Sequence, residues 1–184
     1  EQEHNEIGFY TSITWKRKYL YGDILKQILG SVGKITKEEK KEYLEKGYSL
    51  NDIVGKSYIE KQYEDILKGK KKTYIKKTSS TLEKLTEEER GKDIVLTIDI
   101  DLQIEVEKIL EEELSHAKKE ANTKYFNKSY VVIQKPNTGE VLAIAGKQII
   151  KSGNNERFVD AVTGVLTDPM TPGSVVKGGS MLVG

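Results

Sequence analysis

The sequence has no cysteine among its 184 residues, and this absence removes several classes of site at once. Without thiols the chain has no disulfide framework, no thiolate nucleophile and no cysteine-based metal site. Only two histidines are present, His4 and His116, and they are too far apart in sequence to form a helical ligand pair. We therefore expect both histidines to be solvated surface residues, and no metal site is predicted.

Long apolar runs and an excess of one charge are also missing. No stretch approaches the roughly 18 apolar residues of a membrane span, and no signal peptide is visible, although an anchor upstream of Glu1 is compatible with this pattern. The chain carries 30 basic and 29 acidic residues, for a net charge of +1. This balance gives no reason to expect nucleic acid as a partner. The length suits one large domain or two small ones.

Local patterns in the first half of the chain predict short elements separated by glycines. Residues 7–15 alternate roughly and are rich in β-branched and aromatic side chains, which predicts a strand. Apolar residues at helical spacing from Ile24 predict a helix that ends at Gly30. Two patterns of Thr or Ser followed by Glu three residues later, Thr36–Glu39 and Ser57–Glu60, predict capping boxes that open two further helices.

A lysine-rich stretch follows these elements. Lysines crowd residues 68–77, and residues 78–90 are polar and charged. This composition predicts a solvated hairpin or loop, while an attraction to an anionic envelope polymer or lipid surface is the alternative. We place a domain boundary near Arg90 to Lys92, because a regular pattern resumes immediately afterwards.

The second half of the chain opens with a strand and a long helix. Residues 94–98 are rich in β-branched side chains and predict a strand. Asp99 or Asp101 can cap the following helix. The apolar positions of that helix keep a helical period: Leu102, Val106, Ile109, Leu110, Leu114 and Ala117. Residues 111–113 are three successive glutamates, which point around a helix rather than converging, so they predict a solvated face and not a metal patch.

A β-hairpin is predicted after this helix. Residues 130–133 and 140–144 are apolar runs, and residues 135–139 between them hold Pro and Gly where a turn favours them. A hairpin of two strands is not stable alone, so it must pack on helices or on further strands. A polar turn over residues 151–156 precedes another apolar segment at 158–163.

The last dozen residues contain Ser174 and Lys177, an S-x-x-K pattern known from penicillin-interacting serine enzymes. Three residues of helix rise ~4.5 Å and turn almost once, so both side chains share one face. An unprotonated amine there can accept the hydroxyl proton as the serine attacks a carbonyl. Pro172 and Gly173 suit a tight entry into a helix whose N–H groups face developing negative charge. Taken alone, the pattern is weak, and a plain surface or core helix is the better interpretation of it.

Two stretches in the first half carry a specific set of motifs. Residues 17–30 read Arg-Lys-Tyr-Leu-Tyr-Gly through Leu-Gly, and residues 55–69 read Gly-Lys-Ser-Tyr-Ile-Glu-Lys-Gln-Tyr through Leu-Lys-Gly. These resemble the Arg-x-Tyr-Pro…Gly…Leu-Gly and Gly-x-x-Gly-Leu-Glu-x-x-Tyr…Leu-x-Gly segments of class B penicillin-binding proteins, the monofunctional transpeptidases of bacterial cell-wall synthesis. Leu20 stands where that family usually has proline, and Tyr58 stands where it has glycine.

The second half continues the resemblance in the same order. Residues 96–99 read Leu-Thr-Ile-Asp, Leu102 and Gln103 follow, and residues 136–143 read Pro-Asn-Thr-Gly-Glu-Val-Leu-Ala. These stretches are similar to the entry of the family's transpeptidase domain, and Ser174 falls where the active-site motif belongs. The sequence of residues 48–69 most resembles that of the family's enzymes from Gram-positive bacteria.

The resemblance implies a fold and a division of the chain. We expect an α+β protein with an elongated, non-catalytic pedestal, or dimerisation domain, over residues 1–91. Residues 92–184 would be the N-terminal portion of a transpeptidase domain of the serine β-lactamase-like class. The family's Ser-x-Asn and Lys-Thr/Ser-Gly motifs do not occur after Ser174, so we expect the chain to be a fragment that is truncated after its S-x-x-K motif.

The resemblance also implies a reaction and a location. Ser174 would attack the D-alanyl-D-alanine bond of a peptidoglycan stem peptide, with Lys177 as general base, and an amine of a neighbouring peptide would resolve the acyl-enzyme into a cross-link. β-Lactams would be inhibitors, and no metal or organic cofactor would be needed. Cell-wall synthesis or division proteins would bind the pedestal. The parent protein would sit at the extracytoplasmic face of the cell membrane through an upstream anchor, with no nucleic-acid partner.

Two other functions are compatible with the sequence. A non-catalytic extracytoplasmic scaffold that binds partners would share the pedestal motifs, and this is the role we expect for the isolated fragment. A β-lactam sensor domain also uses S-x-x-K, although it would not carry the pedestal motifs. We expect the fragment alone to be catalytically incompetent.

Overall fold

The protein is described here by a computed structural model, which covers residues 17–76, 82–153, 155–171 and 173–183. The chain divides into two compact units, Glu1–Leu96 and Thr97–Gly184. The predicted strand at residues 7–15 and the residue His4 lie outside the described residues. In the described ranges, no helix combines the length and the apolar character that a membrane crossing requires.

The first unit is built from short helices and two-stranded sheets. Its helices are α1 (Lys26–Leu29), α2 (Lys40–Glu45), α3 (Tyr58–Gln62) and α4 (Glu64–Leu67), and its strands are β1 (Val32–Lys34), β2 (Ile53–Gly55), β3 (Thr73–Lys76) and β4 (Leu82–Thr86). Strands β1 and β2 pair antiparallel, and so do β3 and β4. The helix predicted to end at Gly30 is confirmed, since α1 stops there.

A small aromatic core holds this unit together. Its buried side chains are Tyr43 of α2, Val54 of β2, and Tyr48 from the segment between these two elements. Ile35 packs against them. The rings of Tyr43 and Tyr48 meet edge to face, with centroids 5.0 Å apart and an interplanar angle of 88°. This is the geometry that aromatic pairs favour, because the positive edge of one ring faces the negative face of the other.

The two predicted capping boxes have different outcomes. The first is confirmed: the backbone N–H of Thr36 donates to Glu39 at 2.9 Å, and the N–H of Glu39 donates to the Thr36 hydroxyl at 3.4 Å. The second is wrong, since the Ser57 side chain makes no capping bond to α3. The hydroxyl of Ser57 instead accepts from the N–H of Ser31 at 3.1 Å, and the Glu60 carboxylate is engaged in ion pairing.

The lysine-rich stretch forms a hairpin, as predicted. Strands β3 and β4 pair from Thr73 opposite Thr86 to Lys76 opposite Leu82, and an isolated bridge joins Lys70 to Glu89. Residues 77–81 lie outside the described part of the chain. In the described part of this stretch, Lys70 lies 2.6 Å from Glu89 and Lys71 contacts Asp52. These ion pairs cancel part of the local positive charge.

The second unit is a long helix packed on a three-stranded antiparallel sheet. It contains helices α5 (Ile100–Ala117), α6 (Gly164–Thr167) and α7 (Val176–Val183), strands β5 (Lys128–Gln134), β6 (Val141–Ser152) and β7 (Asn155–Asp160), and a 3-10 turn at Gly173–Val175. The strand order is β5-β6-β7, with β6 in the middle. The predicted hairpin is confirmed, because Val132 pairs with Ile144 across the turn.

The start of α5 shows one prediction wrong and another confirmed. Residues 94–98 do not form the predicted strand. They run irregularly, and the Thr97 hydroxyl donates to the Val141 carbonyl at 2.7 Å, which ties the chain to β6 through a side chain instead of a ladder. Asp99 caps the helix as predicted, since its carboxylate accepts from the N–H groups of Asp101 and Leu102, both at 3.1 Å.

The core of the second unit lies between α5 and the sheet. Val106 and Leu110 of α5 pack against Ala143 and Ala145 of β6, and Leu114 continues the same stripe one turn later. The two alanines let the helix approach the strand closely. Of the three successive glutamates, Glu111 reaches a lysine and the next two are exposed, in line with a largely solvated face.

Candidate functional site

Ser174 and Lys177 lie on one continuous helical run at the end of the chain. Ser174 is the middle residue of the 3-10 turn, and Lys177 is the second residue of α7. Gly173 precedes them with φ +55°, a left-handed conformation that glycine adopts without a steric penalty. Residues three apart in a helical run share one face, so the local backbone fits the predicted pairing of a hydroxyl with an amine.

The surroundings of this pair are open. Every described side chain from 173 to 183 is exposed, including Met181 at 84% and Leu182 at 90%. Within the described ranges, no hydrogen bond or ion pair reaches the Ser174 hydroxyl or the Lys177 ammonium group. The chain therefore places both residues at one helix start without enclosing them. An amine acts as a base only when it is unprotonated, and burial is what favours that form.

A second cluster, the Arg17 network, lies in the first unit and is far better enclosed. It consists of Arg17, Tyr19, Tyr48, Glu60 and Glu64. The Arg17 guanidinium lies 3.1 Å from Glu60 and 2.8 Å from Glu64, and the two glutamates are only 9% and 5% exposed. The contact with Glu64 is a hydrogen bond. The contact with Glu60 is electrostatic, because neither of its two atoms has a hydrogen-bond partner in the described part of the chain.

Neutral donors complete the Arg17 network. The hydroxyl of Tyr48 donates to Glu64 at 3.2 Å, the N–H of Gly55 donates to the same carboxylate at 2.8 Å, and the Tyr19 hydroxyl donates to Glu60 at 3.2 Å. Burial, followed by the negative charge of Glu64, raises the pKa of Tyr48. Burial and the charge of Glu60 likewise raise the pKa of Tyr19. Both phenols therefore stay protonated and donate across the ordinary pH range.

The Arg17 network joins the two motif stretches of the first half. Arg17 and Tyr19 come from residues 17–30, and Glu60 comes from residues 55–69. The second stretch begins with Gly55. A larger residue would clash at this position, because a Cβ there would lie 2.0 Å from the carbonyl oxygen of Glu60. The motifs alone give no role to these residues, and Glu64 is not part of either motif. The available signal was its position one helical turn after Glu60 and beside Tyr63.

Tyr58, two residues before Glu60 in the sequence, has a strained backbone conformation. It stands where the motif usually has glycine, and its φ is +48°. That conformation costs a residue with a Cβ roughly 1–2 kcal/mol. Its side chain is 55% exposed, so little packing compensates for the strain.

The second unit has a polar contact at Gln103, one of the residues that carry the resemblance to the family. Its side chain is fully buried. Strand β7 pairs with β6 from Lys147 onward, so no strand in the described ranges pairs with Ile144 on that side. The side chain of Gln103 supplies the hydrogen bonds that a strand would make there. Its amide oxygen accepts from the N–H of Ile144 at 2.9 Å, and its amide nitrogen donates to the carbonyl of Ile144 at 3.0 Å. A buried backbone needs such partners, so Gln103 fixes α5 against the middle strand.

Lys147 is a charged residue that the sequence did not single out. Its ammonium group lies 2.9 Å from Glu107 and 2.9 Å from Glu111 on α5, and its side chain is only 13% exposed. Burial lowers the pKa of Lys147, but hydrogen bonds to the two carboxylates outweigh that effect, and the net shift is upward. In the described ranges no group of three His, Asp or Glu side chains is arranged to hold a metal ion.

Comparison with known proteins identifies the family. Residues 1–96 match the family described as "Penicillin-binding Protein dimerisation domain". The chain belongs to the class B penicillin-binding proteins. The resemblance predicted from the motifs is thereby confirmed, and so is the mixed α+β fold class. The first unit, with its Arg17 network, is the family's dimerisation domain.

Individual penicillin-binding proteins match most of the chain. It is 42% identical to penicillin-binding protein 2A of Bacillus subtilis over 96% of its length, and 37% identical to penicillin-binding protein 2B of Streptococcus pneumoniae over 96%. It is 29% identical over 85% of its length to the Escherichia coli protein named peptidoglycan D,D-transpeptidase MrdA. The chain spans 26%, 27% and 24% of these relatives, which is about a quarter of their length.

A solved penicillin-binding protein shares the fold. Penicillin-binding protein 2B of Streptococcus pneumoniae strain 5204 superimposes with a TM-score of 0.73 at 35% identity, covering 91% of this chain and 29% of that structure. The relatives of higher identity come from Bacillus and Streptococcus, in line with the predicted Gram-positive type. The predicted boundary at residues 91 and 92 and the roles of Ser174 and Lys177 remain predictions.

Proposed function

We propose that this chain is the pedestal and the opening catalytic segment of a serine-type peptidoglycan D,D-transpeptidase. The observation that carries the proposal is the position of Ser174 and Lys177, one turn apart at a helix start, in a chain of the penicillin-binding protein family. The pedestal would comprise residues 1–91, and residues 92–184 would open the transpeptidase domain. The match to only about a quarter of each relative supports a longer parent protein.

The proposed reaction proceeds through an acyl-serine intermediate. The Ser174 hydroxyl oxygen attacks the carbonyl of the D-alanyl-D-alanine bond while Lys177 accepts the hydroxyl proton. The C–N bond then breaks, the departing amine of D-alanine takes up a proton, and the acyl group stays on Ser174. An amine of a second stem peptide attacks this ester, which forms the cross-link and regenerates the serine. The backbone N–H of Ser174 contributes to oxyanion stabilisation.

The residues present are sufficient for nucleophile and base, and the proposal includes no metal or organic cofactor. β-Lactams bind as inhibitors because they acylate the same serine. Stem peptides are the substrate, and cell-wall synthesis or division proteins dock on the pedestal. The parent protein is held at the extracytoplasmic face of the cell membrane by an anchor upstream of Glu1. Nucleic acid is not a partner.

For the isolated chain, a non-catalytic scaffold is the second candidate function. The observation that favours it is the complete exposure of the described side chains around Ser174 and Lys177. A well-placed base supplies about 10²–10⁴ in rate, and a single oxyanion donor about 10²–10³, so an unenclosed pair lacks most of the rate enhancement. A β-lactam sensor is the less favoured reading, because the chain carries the dimerisation domain of the penicillin-binding proteins.

Labelling with a fluorescent penicillin tests these assignments. We expect the full-length protein to be labelled, the Ser174→Ala variant of it to be unlabelled, and the isolated 184-residue chain to be unlabelled. Ser115→Ala, which removes a hydroxyl on α5 in the same unit but outside the S-x-x-K segment, is the control and should label normally. Retained labelling of Ser174→Ala would contradict the catalytic assignment. Labelling of the isolated chain at the full-length rate would contradict the scaffold role.

A further inference from the structure

A three-residue polar cluster joins β5 to the segment that leads into Ser174. We name it the Asp168 tether, and it consists of Lys128, Tyr130 and Asp168. One carboxylate oxygen of Asp168 accepts hydrogen bonds from both the Lys128 ammonium group and the Tyr130 hydroxyl. Lys128 and Tyr130 are two residues apart on β5, so their side chains point to the same face of the sheet. Asp168 immediately follows α6.

The backbone around the tether is closely packed. Gly164, the first residue of α6, leaves room for the Tyr130 ring, because a Cβ there would lie 2.2 Å from the Tyr130 hydroxyl oxygen. The N–H of Asp168 donates to the carbonyl of Gly164 at 2.9 Å and closes the single turn of the helix. Both ends of α6 are therefore fixed to the same strand.

The tether lies a short distance along the chain from the proposed nucleophile. Five residues separate Asp168 from Ser174, and two of the five are prolines, whose rings restrict φ. Asp168 itself is extended, with φ −86° and ψ 116°, as a residue before proline prefers. Because proline fixes φ at two of these five positions, the connection has fewer accessible conformations than an ordinary loop of the same length.

We propose that Asp168, held by Lys128 and Tyr130, is a positioning residue that sets the placement of Ser174 for acylation. This inference rests on the proposed function, since it assigns Ser174 as the nucleophile. Hydrogen bonds from Lys128 and then from Tyr130 hold the pKa of Asp168 below its usual range, so the carboxylate stays charged and the tether closed at neutral pH. A displacement of about 1 Å at a reacting atom costs up to roughly 10²-fold in rate, so a loose tether lowers the acylation rate.

The test is the acylation rate constant of the full-length protein with a fluorescent penicillin, measured together with the affinity of the preceding non-covalent complex. We expect Asp168→Asn and Lys128→Met to lower the rate constant by about tenfold or more, with affinity unchanged. Lys128→Arg keeps the positive charge and a donor, and it should recover most of the rate. Lys135→Met, which removes the exposed ion pair between Lys135 and Glu140 in the same unit, is the matched control and should acylate normally.

The outcomes separate the tether from the proposed function. Labelling of Ser174→Ala, or no labelling of the folded wild-type protein, overturns the proposed function itself. Wild-type rates in Asp168→Asn and Lys128→Met overturn only the tether, whether or not the melting temperature falls. Equal slowing in Lys135→Met also overturns it, because the effect would then not be specific. If Asp168→Asn does not fold, Tyr130→Phe removes one donor without changing charge, and an unchanged rate in that variant counts against the proposal.

Discussion

At the scale of single residues, the buried charges of the Arg17 network are the most informative feature. Two glutamates that are nearly inaccessible to solvent share one arginine, two tyrosine hydroxyls and a backbone N–H. Buried carboxylates are costly unless they are paired and hydrogen-bonded. The arrangement gives the arginine, the tyrosine and the glutamate of the two motif stretches a structural role in the first unit.

Removing the arginine should destabilise the first unit strongly. Arg17→Met leaves Glu60 and Glu64 buried without a counter-charge, and we expect the free energy of unfolding to fall by about 3–5 kcal/mol. Urea denaturation of the whole chain, followed by tyrosine fluorescence, measures this change. The control is Lys26→Met, which breaks the exposed pair with Asp23 and should lower the stability far less than Arg17→Met does. Equal costs for the two variants would show that the network is not a buried one.

Tyr58 offers a second test at this scale, since its backbone is left-handed. Glycine relieves the steric cost, whereas alanine retains it, and both substitutions remove the same ring. We therefore expect Tyr58→Gly to be more stable than Tyr58→Ala by about 1 kcal/mol, despite the greater freedom of glycine in the unfolded chain. Thermal denaturation of the two variants measures the difference. A more stable alanine variant would mean that Tyr58 is not strained.

At the scale of elements, the two capping boxes show what a local pattern can and cannot predict. Thr36–Glu39 and Ser57–Glu60 have the same spacing, yet only the first forms. The difference lies outside the local sequence, because the Glu60 carboxylate finds Arg17, which is 43 residues away in the chain. A local capping hydrogen bond contributes about 1 kcal/mol, whereas a buried charge left without its partner costs about 3–5 kcal/mol.

The first capping box gives a pH prediction. Hydrogen bonds donated by the Lys56 side chain and then by the N–H of Thr36 lower the pKa of Glu39 to about 2. A carboxyl whose folded pKa is depressed contributes stability above its unfolded pKa, and that contribution is lost as pH falls. The free energy of unfolding should therefore decrease between about pH 4.5 and pH 2, and the decrease should be smaller in Glu39→Gln. Chemical denaturation at several pH values measures it. Identical pH profiles for the two proteins would contradict the assignment.

The long helix and the hairpin were predictable because their signals are local. The apolar stripe of α5, its Asp99 cap and the Pro-Gly turn before β6 each depend on residues close together in sequence. Residues 94–98 failed as a strand because their β-branched composition says nothing about a pairing partner. In the structure a side chain, Thr97, bonds the Val141 carbonyl instead. The Asp168 tether and the pairing of Lys147 with α5 could not be predicted from the sequence either, because both depend on the register of the sheet.

At the scale of the whole molecule, the chain combines a dimerisation domain of the penicillin-binding proteins with a second unit that ends in an unenclosed Ser-x-x-Lys helix. Co-linear motifs predicted the family, because several weak patterns in a fixed order are far more specific than any one of them. They could not predict which motif residues are structural, since that depends on burial. The glutamates of the Arg17 network are buried, whereas the side chains of Ser174 and Lys177 are exposed.

The central claim is that Ser174 is the residue that penicillin and stem peptides acylate. Peptide mapping by mass spectrometry, after reaction of the full-length protein with benzylpenicillin, tests it most directly. We predict a single penicilloyl adduct on the peptide that contains Ser174 and Lys177, located on the serine by fragmentation. The isolated chain treated in parallel should carry none. An adduct on a different residue of the full-length protein, or its absence from a folded one, would contradict the claim.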